Sequence, residues 1–155
     1  MSIPSQFRRV LEASDPDWTE GLNPGVYLQY GASSQTHLEC FTVSAWAEVT
    51  RKIAALPRGS KRRRTLERLF GAKVLQTSVD ETGRLVLPAW LREKIGLSEQ
   101  AVFMATGDTF QVWSPAKYAE IDAELEADLD DLPEDFDPLE WLDTGAGGAD
   151  GPGAE

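Results

Sequence analysis

The sequence is poor in the residues that disulfide-bonded, metal-bound or catalytic domains depend on. It has one cysteine, Cys40, so an intrachain disulfide framework is excluded. It has one histidine, His37, and that pair cannot make a normal zinc site. No apolar run approaches the ~20 residues of a membrane span, and the N-terminus lacks the apolar stretch of a signal peptide, so a soluble, cytosolic protein without a membrane partner is expected. There is no nucleophile elbow, P-loop, Rossmann glycine set or paired-carboxylate site. An enzyme is therefore not expected, nor are catalytic residues, a cofactor, a metal or a small-molecule substrate.

Positive charge is missing from one region only. The net charge of −11 over 155 residues hides a segregation. All 15 Lys and Arg lie in residues 1–118 against 12 Asp and Glu, which leaves that part at about +3. From Ala119 onward there are 14 acids and no Lys or Arg. A mildly basic body joined to an acidic tail keeps a protein soluble, and such a tail can also compete with phosphates for the basic surface.

The chain repeats itself. Met1-Ser-Ile-Pro-Ser-Gln-Phe-Arg8 lies over Leu85-Val-Leu-Pro-Ala-Trp-Leu-Arg92, matching Pro4 with Pro88 and Arg8 with Arg92. Further on, His37–Trp46 lies over Thr109–Tyr118, at a smaller offset because the first copy has a longer connection around residues 12–25. Self-similarity of this kind indicates duplication of one supersecondary unit.

In the second copy, residues 74–79 read as a strand, Asp80-Glu-Thr-Gly83 as a turn, and Arg84–Leu87 as a resumed strand. Pro88 starts a short helix over 89–95 that Gly96 closes. Residues 101–105 and 109–113 form a hairpin, and Ser114-Pro115 caps a helix running into the tail. The first copy gives a short helix near 4–11, strands at 26–30 and 38–42, and a helix over 44–56. Between the copies, 60–70 reads as a helix ended by Gly71. From about Asp143 the Gly-rich, acidic end is expected to be disordered, with Leu139, Trp141 and Leu142 available for local docking.

Asp80-Glu-Thr-Gly-Arg84 followed by Leu-Val-Leu-Pro88 resembles the D-x-x-x-R signature of the MraZ family. So does Leu56–Phe70, and so does the hairpin ending Gly-Asp-Thr-Phe-Gln-Val-Trp-Ser-Pro115. The resemblance covers roughly residues 1–120 in unbroken order. It implies an α+β fold: a duplicated AbrB-like swapped-hairpin β-barrel with short peripheral helices and an acidic, partly disordered tail. It divides the chain into a first SpoVT-AbrB repeat (1–47, N-terminally truncated), a helical connection (48–76), a second repeat (77–120) and the tail (121–155). It also implies a ring-shaped homo-oligomer, nucleoid-associated, that binds double-stranded DNA at the promoter of the division and cell wall gene cluster.

One departure stands out. In the family a first D-x-x-x-R precedes the Ser-Ile-Pro stretch, and here Met1 occupies the slot just after that arginine, where a hydrophobic residue normally stands. The expectation is a start site placed too late, with an internal Val or Leu codon read as Met. A mass of the endogenous protein matching Met1 as the true start would refute it. Loss of that signature and its edge strand also allows an alternative, an oligomeric protein-interaction module of the same fold without DNA binding.

The candidate DNA-binding residues are Asp80, Arg84, Arg8, Arg92, Lys61, Arg62 and Arg63. Asp80 at the start of a tight turn accepts turn amides, and an arginine four residues on can pair with it. A guanidinium oriented in this way also suits phosphate oxygens or a guanine edge. Lys61–Arg64, with Arg58 and Arg68, is the densest positive run, either a solvated helix face or a set of phosphate contacts. Arg8 and Arg92 stand at equivalent places, suited to a repeated backbone contact or to acids on a neighbouring subunit. Trp46, Trp113, Tyr118, Phe41 and Phe110 read as core or interface, Cys40 as a buried small hydrophobe, and His37 as a turn residue.

Overall fold

The structure is a computed structural model that describes residues 1–145. In chain order its elements are α1 (Ser5–Ala13), β1 (Gly25–Gln29), β2 (His37–Phe41), α2 (Val43–Ala54), α3 (Lys61–Ala72) and β3 (Val74–Ser78). Then come α4 (Ala89–Ile95), β4 (Val102–Thr106), β5 (Thr109–Trp113), α5 (Pro115–Asp130) and α6 (Pro138–Gly145). Among the described residues, Met1–Ala119 form one compact unit and those from Glu120 onward another.

The helix starts follow local chemistry. Pro4 and Pro88 occupy the N-cap positions of α1 and α4 with φ of −57° and −58°. Each short helix then buries one apolar pair a turn apart, Phe7 and Leu11 in α1, Leu91 and Ile95 in α4. At the ends of β2 and β5 the caps are hydroxyls: Thr42 Oγ1 accepts from the Ala45 amide at 3.0 Å and Ser114 Oγ from Lys117 at 3.2 Å. Gly96 closes α4 in the left-handed region at φ +70°. Gly71 does not end α3; the helix runs one residue past it, to Ala72.

The five strands form one antiparallel sheet in the order β3-β1-β2-β5-β4. At its centre, His37, Glu39 and Phe41 of β2 face Trp113, Gln111 and Thr109 of β5. Residues 72 positions apart thus exchange places across this ladder, and the Glu39–Gln111 pair maps onto itself. A second self-mapping pair is Met1 with Leu85, 84 apart. The Leu85 amide donates to the Met1 carbonyl at 2.7 Å, and the Met1 ammonium donates to the Leu85 carbonyl at 3.0 Å. The register is therefore locally two-fold about both pairs.

Both stretches feed one core, with Leu11, Leu28, Leu38, Leu85, Leu91 and Phe110 among its fully buried side chains. Each such burial contributes roughly 1.5–3 kcal/mol. On another part of the sheet Tyr27 stacks flat on Trp46 of α2 at 4.8 Å, and Phe41 and Phe70 meet Trp46 edge-on or tilted.

Three local expectations are corrected. Residues 84–87 do not resume a strand: they make only isolated bridges, Ser2 with Arg84 and Val79 with Leu85, where the chain folds back on itself at the Asp80 turn. His37 is not in a turn: it begins β2, stacks on Trp113 at 4.2 Å and lies 2.9 Å from the Glu39 carboxylate. Helix α6 carries order past Asp143 to Gly145, and the rest of the expected disordered end lies outside the described residues. Within the tail unit Leu139, Trp141 and Leu142 are exposed, with the Trp141 ring edge-on to Phe136.

Candidate nucleic-acid interface

The turn after β3 is organised by one carboxylate. Asp80 Oδ1 accepts from the Thr82 amide at 2.9 Å, the Thr82 hydroxyl at 2.7 Å and the Arg84 amide at 2.8 Å. The Asp80 amide donates to the Arg84 carbonyl at 2.9 Å, and Gly83 supplies φ +78° to close the loop. Donation by the Arg84 amide, then by the Thr82 hydroxyl, holds the Asp80 carboxyl below the usual carboxylate range. The carboxylate thus grips the backbone of Arg84 by hydrogen bonds, and the Arg84 charge adds a smaller attraction to the same carboxylate without a close side-chain ion pair. Arg84 is exposed, and its guanidinium makes no hydrogen bond or ion pair among the described residues.

Arg8 secures the other side of the turn. Its Nη1 donates to the Asp80 carbonyl, while its Nε lies 3.2 Å from Glu12 one helical turn on. Beside the turn lies a cleft of about 720 Å³. Asp80, Arg84 and Arg92 all contribute to its wall, and Arg92 is exposed with its guanidinium unpartnered among the described residues.

The α3 run is not part of that cleft. Ser60 caps α3 by accepting from the Arg63 amide, and the first turn then carries Lys61, Arg62, Arg63 and Arg64 with no acid. Cations at a helix N-terminus oppose the macrodipole by about 0.3–1 kcal/mol each, which an anion would relieve. Arg63 turns inward: its Nη1 donates to the carbonyls of Ala54 and Leu56 at 3.2 and 3.0 Å, and its Nε lies 3.7 Å from Glu67. Arg64 donates to the Gly59 carbonyl at 2.7 Å. Lys61 and Arg62 are exposed, beside Thr65 and Leu66.

The structure thus brings Asp80, Arg84, Arg8 and Arg92 together and leaves Lys61, Arg62 and Arg63 as a separate basic surface. Sequence reasoning missed Lys94, whose Nζ donates to the carbonyls of Tyr30, Ala32 and Gln35 at 2.7–3.0 Å and so holds the β1–β2 loop. Burial, then the charge of Lys73, pushes the Lys94 ammonium's pKa down. The Glu12 four residues after Arg8 was a visible signal that Arg8 is internally paired. Among the described residues, no group of three or more His, Cys, Asp or Glu is placed to hold a metal. None of the described helices is long and apolar enough to cross a membrane.

These features define a small α+β protein with one five-stranded antiparallel sheet and an aspartate-held turn flanked by arginines. Residues 71–137 match a family model described as "MraZ protein, putative antitoxin-like". A protein named Transcriptional regulator MraZ from Ruegeria sp. is 59% identical over 150 residues, covering 96% of this chain and 89% of the relative. One of the same name from Ruegeria pomeroyi is 56% identical over the same shares, and one from Cereibacter sphaeroides is 39% identical over 92% of this chain and 87% of the relative. The chain belongs to the MraZ family.

Proposed function

We propose that this chain is a sequence-specific, DNA-binding transcriptional regulator that acts as a ring homo-oligomer on the promoter of the division and cell wall gene cluster. It works in the cytoplasm in association with the nucleoid. The observation that carries this reading is the exposed guanidinium of Arg84, without a hydrogen bond or ion pair among the described residues, on a turn whose backbone is held by Asp80 and Arg8. A guanidinium on a rigid stem loses little freedom on binding, and its fork matches a guanine edge or two phosphate oxygens. Arg92 extends the same surface, and Lys61 and Arg62, with Arg63 behind them, add phosphate contacts. Asp80, Arg8 and Arg63 act chiefly by holding backbone in place. The matched caps, buried pairs and two-fold register support a duplicated swapped-hairpin barrel with repeats at 1–47 and 77–120, a helical connection at 48–76 and a tail at 121–155.

The test is a titration of the chain against DNA from upstream of its own gene at two salt concentrations. Saturable, sequence-dependent binding that weakens with salt is expected. Arg84→Ala should lose ~1–3 kcal/mol of binding free energy while remaining folded. Unchanged affinity of that variant would remove Arg84 from the interface. The segregation of 14 acids into the tail favours a second reading, an oligomeric protein-interaction module without DNA binding. A folded oligomer that ignores DNA at low salt would select it.

A further inference from the structure

Helix α3 is incompletely packed. It carries Leu66, Leu69 and Phe70 yet fully buries none of its 12 residues, and a cavity of about 290 Å³ lies between it and α2. Ile53, Ala54 and Phe70 give that cavity an apolar wall, and Arg63 and Glu67 add a polar side. Arg63 Nε is buried without a hydrogen bond among the described residues, with Glu67 Oε1 at 3.7 Å. Gly71 also lines the cavity, and nothing stands within 4 Å of where its Cβ would be. The space admits an apolar side chain that neither helix supplies.

The surface around it carries charge of one sign. Residues 51–73 hold nine of the chain's 15 Lys and Arg, and Glu67 is their single acid. Glu48, just before that stretch, is already taken by Arg51 at 2.6 Å and Lys52 at 3.9 Å. Arg68, one residue beyond Glu67 on α3, is exposed, and its side chain has no hydrogen bond or ion pair among the described residues. Lys61 and Arg62 line a different depression with Thr65 and Leu66, so phosphate contacts there leave the cavity free. Duplex DNA would meet the charge of this hairpin but leave the apolar wall bare. An acidic peptide with one apolar side chain meets both.

We infer that the groove between α2 and α3 is a docking site for an acidic peptide of another protein. One leucine-sized side chain fills the cavity, and carboxylates on either side of it lie against Arg68 and the neighbouring cations. The site shares no residue with the Asp80 turn and does not rest on DNA recognition, so it is tested without DNA.

The probe is a fluorescent peptide of aspartates and glutamates around one central leucine, titrated against the full chain by anisotropy. A second peptide has serine in place of the leucine. Saturable binding of the leucine peptide is expected, with the serine peptide about tenfold or more weaker, the loss of one buried apolar side chain. Gly71→Leu fills the cavity from a helical position that has room for a side chain. It should melt no lower than the parent and lose the leucine peptide; the pair of peptides decides even where it melts lower. Arg68→Ala should weaken the leucine peptide and flatten its salt dependence. Equal binding of the two peptides, no binding by the folded chain, or full affinity in Gly71→Leu would each overturn the proposal. Two other occupants would overturn it as well. Loss of upstream-DNA binding in Gly71→Leu would make the groove part of the nucleic-acid surface, and a changed subunit number in that variant would make it a contact between copies. The effect of Arg84→Ala on DNA affinity is independent of every one of these results.

Discussion

Asp80 shows how much of this surface depends on one carboxylate. Its three accepted hydrogen bonds all favour the ionised form, so its folded-state pKa lies below that of an unstructured aspartate. A depressed carboxyl stabilises the turn above the unfolded pKa and loses that contribution as pH falls through the folded one. The Asp80 carboxyl resonance should therefore titrate below that of an aspartate in a short peptide. Thr82→Ala, which removes one donor, should move the midpoint back up; an unmoved midpoint would show that the hydroxyl contributes nothing. The turn itself was legible from Asp80 and Gly83, because Asx turns and positive-φ glycines are local chemistry. The grip on it by Arg8 was not, since that contact joins residues 72 positions apart and periodicity carries no long-range information.

At the scale of elements, two glycines at helix ends make opposite predictions. Gly96 lies outside α4 at φ +70°, with only Ser114 atoms at 3.8–3.9 Å from where a Cβ would stand, so the strain of a side chain there is in the backbone. Gly96→Ala should cost ~1 kcal/mol. Gly71 lies inside α3 with nothing within 4 Å of its Cβ position, and Gly71→Ala should stabilise by ~0.5–1 kcal/mol. Thermal melts of the two variants should move in opposite directions, and a shared direction would contradict the helix ends described. The sequence suggested that both glycines close helices, since a glycine after an apolar periodic run is a stop signal. What distinguishes them lies downstream: Gly96 is followed by a chain that must turn toward β4, Gly71 by one more helical residue before β3. Most element positions were readable because prolines, hydroxyl caps and apolar pairs recur in the two stretches. The pairing of β3 with β1 was not, because a strand's partner is chosen by the whole core.

At the scale of the molecule, charge segregation is the dominant feature. The acidic residues after Ala119 carry no compensating cation, while the body holds every lysine and arginine. Deleting residues 126–155 should raise DNA affinity at low salt, with the gain fading as the Debye length shrinks to about 3 Å near 1 M. Equal affinities of the two forms at low salt would show that the tail does not compete.

The Glu39–Gln111 pair has a consequence of its own. Gln111 Nε2 donates to Glu39 Oε1 at 2.5 Å, at the point where the two stretches exchange places. Two identical chains meeting there would have to present the same residue twice, and a pair of glutamates would repel. One chain carrying both stretches can place an acid against an amide and so give its centre a direction. Gln111→Glu would restore the forced sameness: two carboxylates in contact, one with its pKa raised. A raised acid costs stability above its unfolded pKa and costs nothing below it. The variant should melt lower than the parent at neutral pH and approach it in mild acid, and a pH-independent deficit would mean that shape, not charge, governs that position.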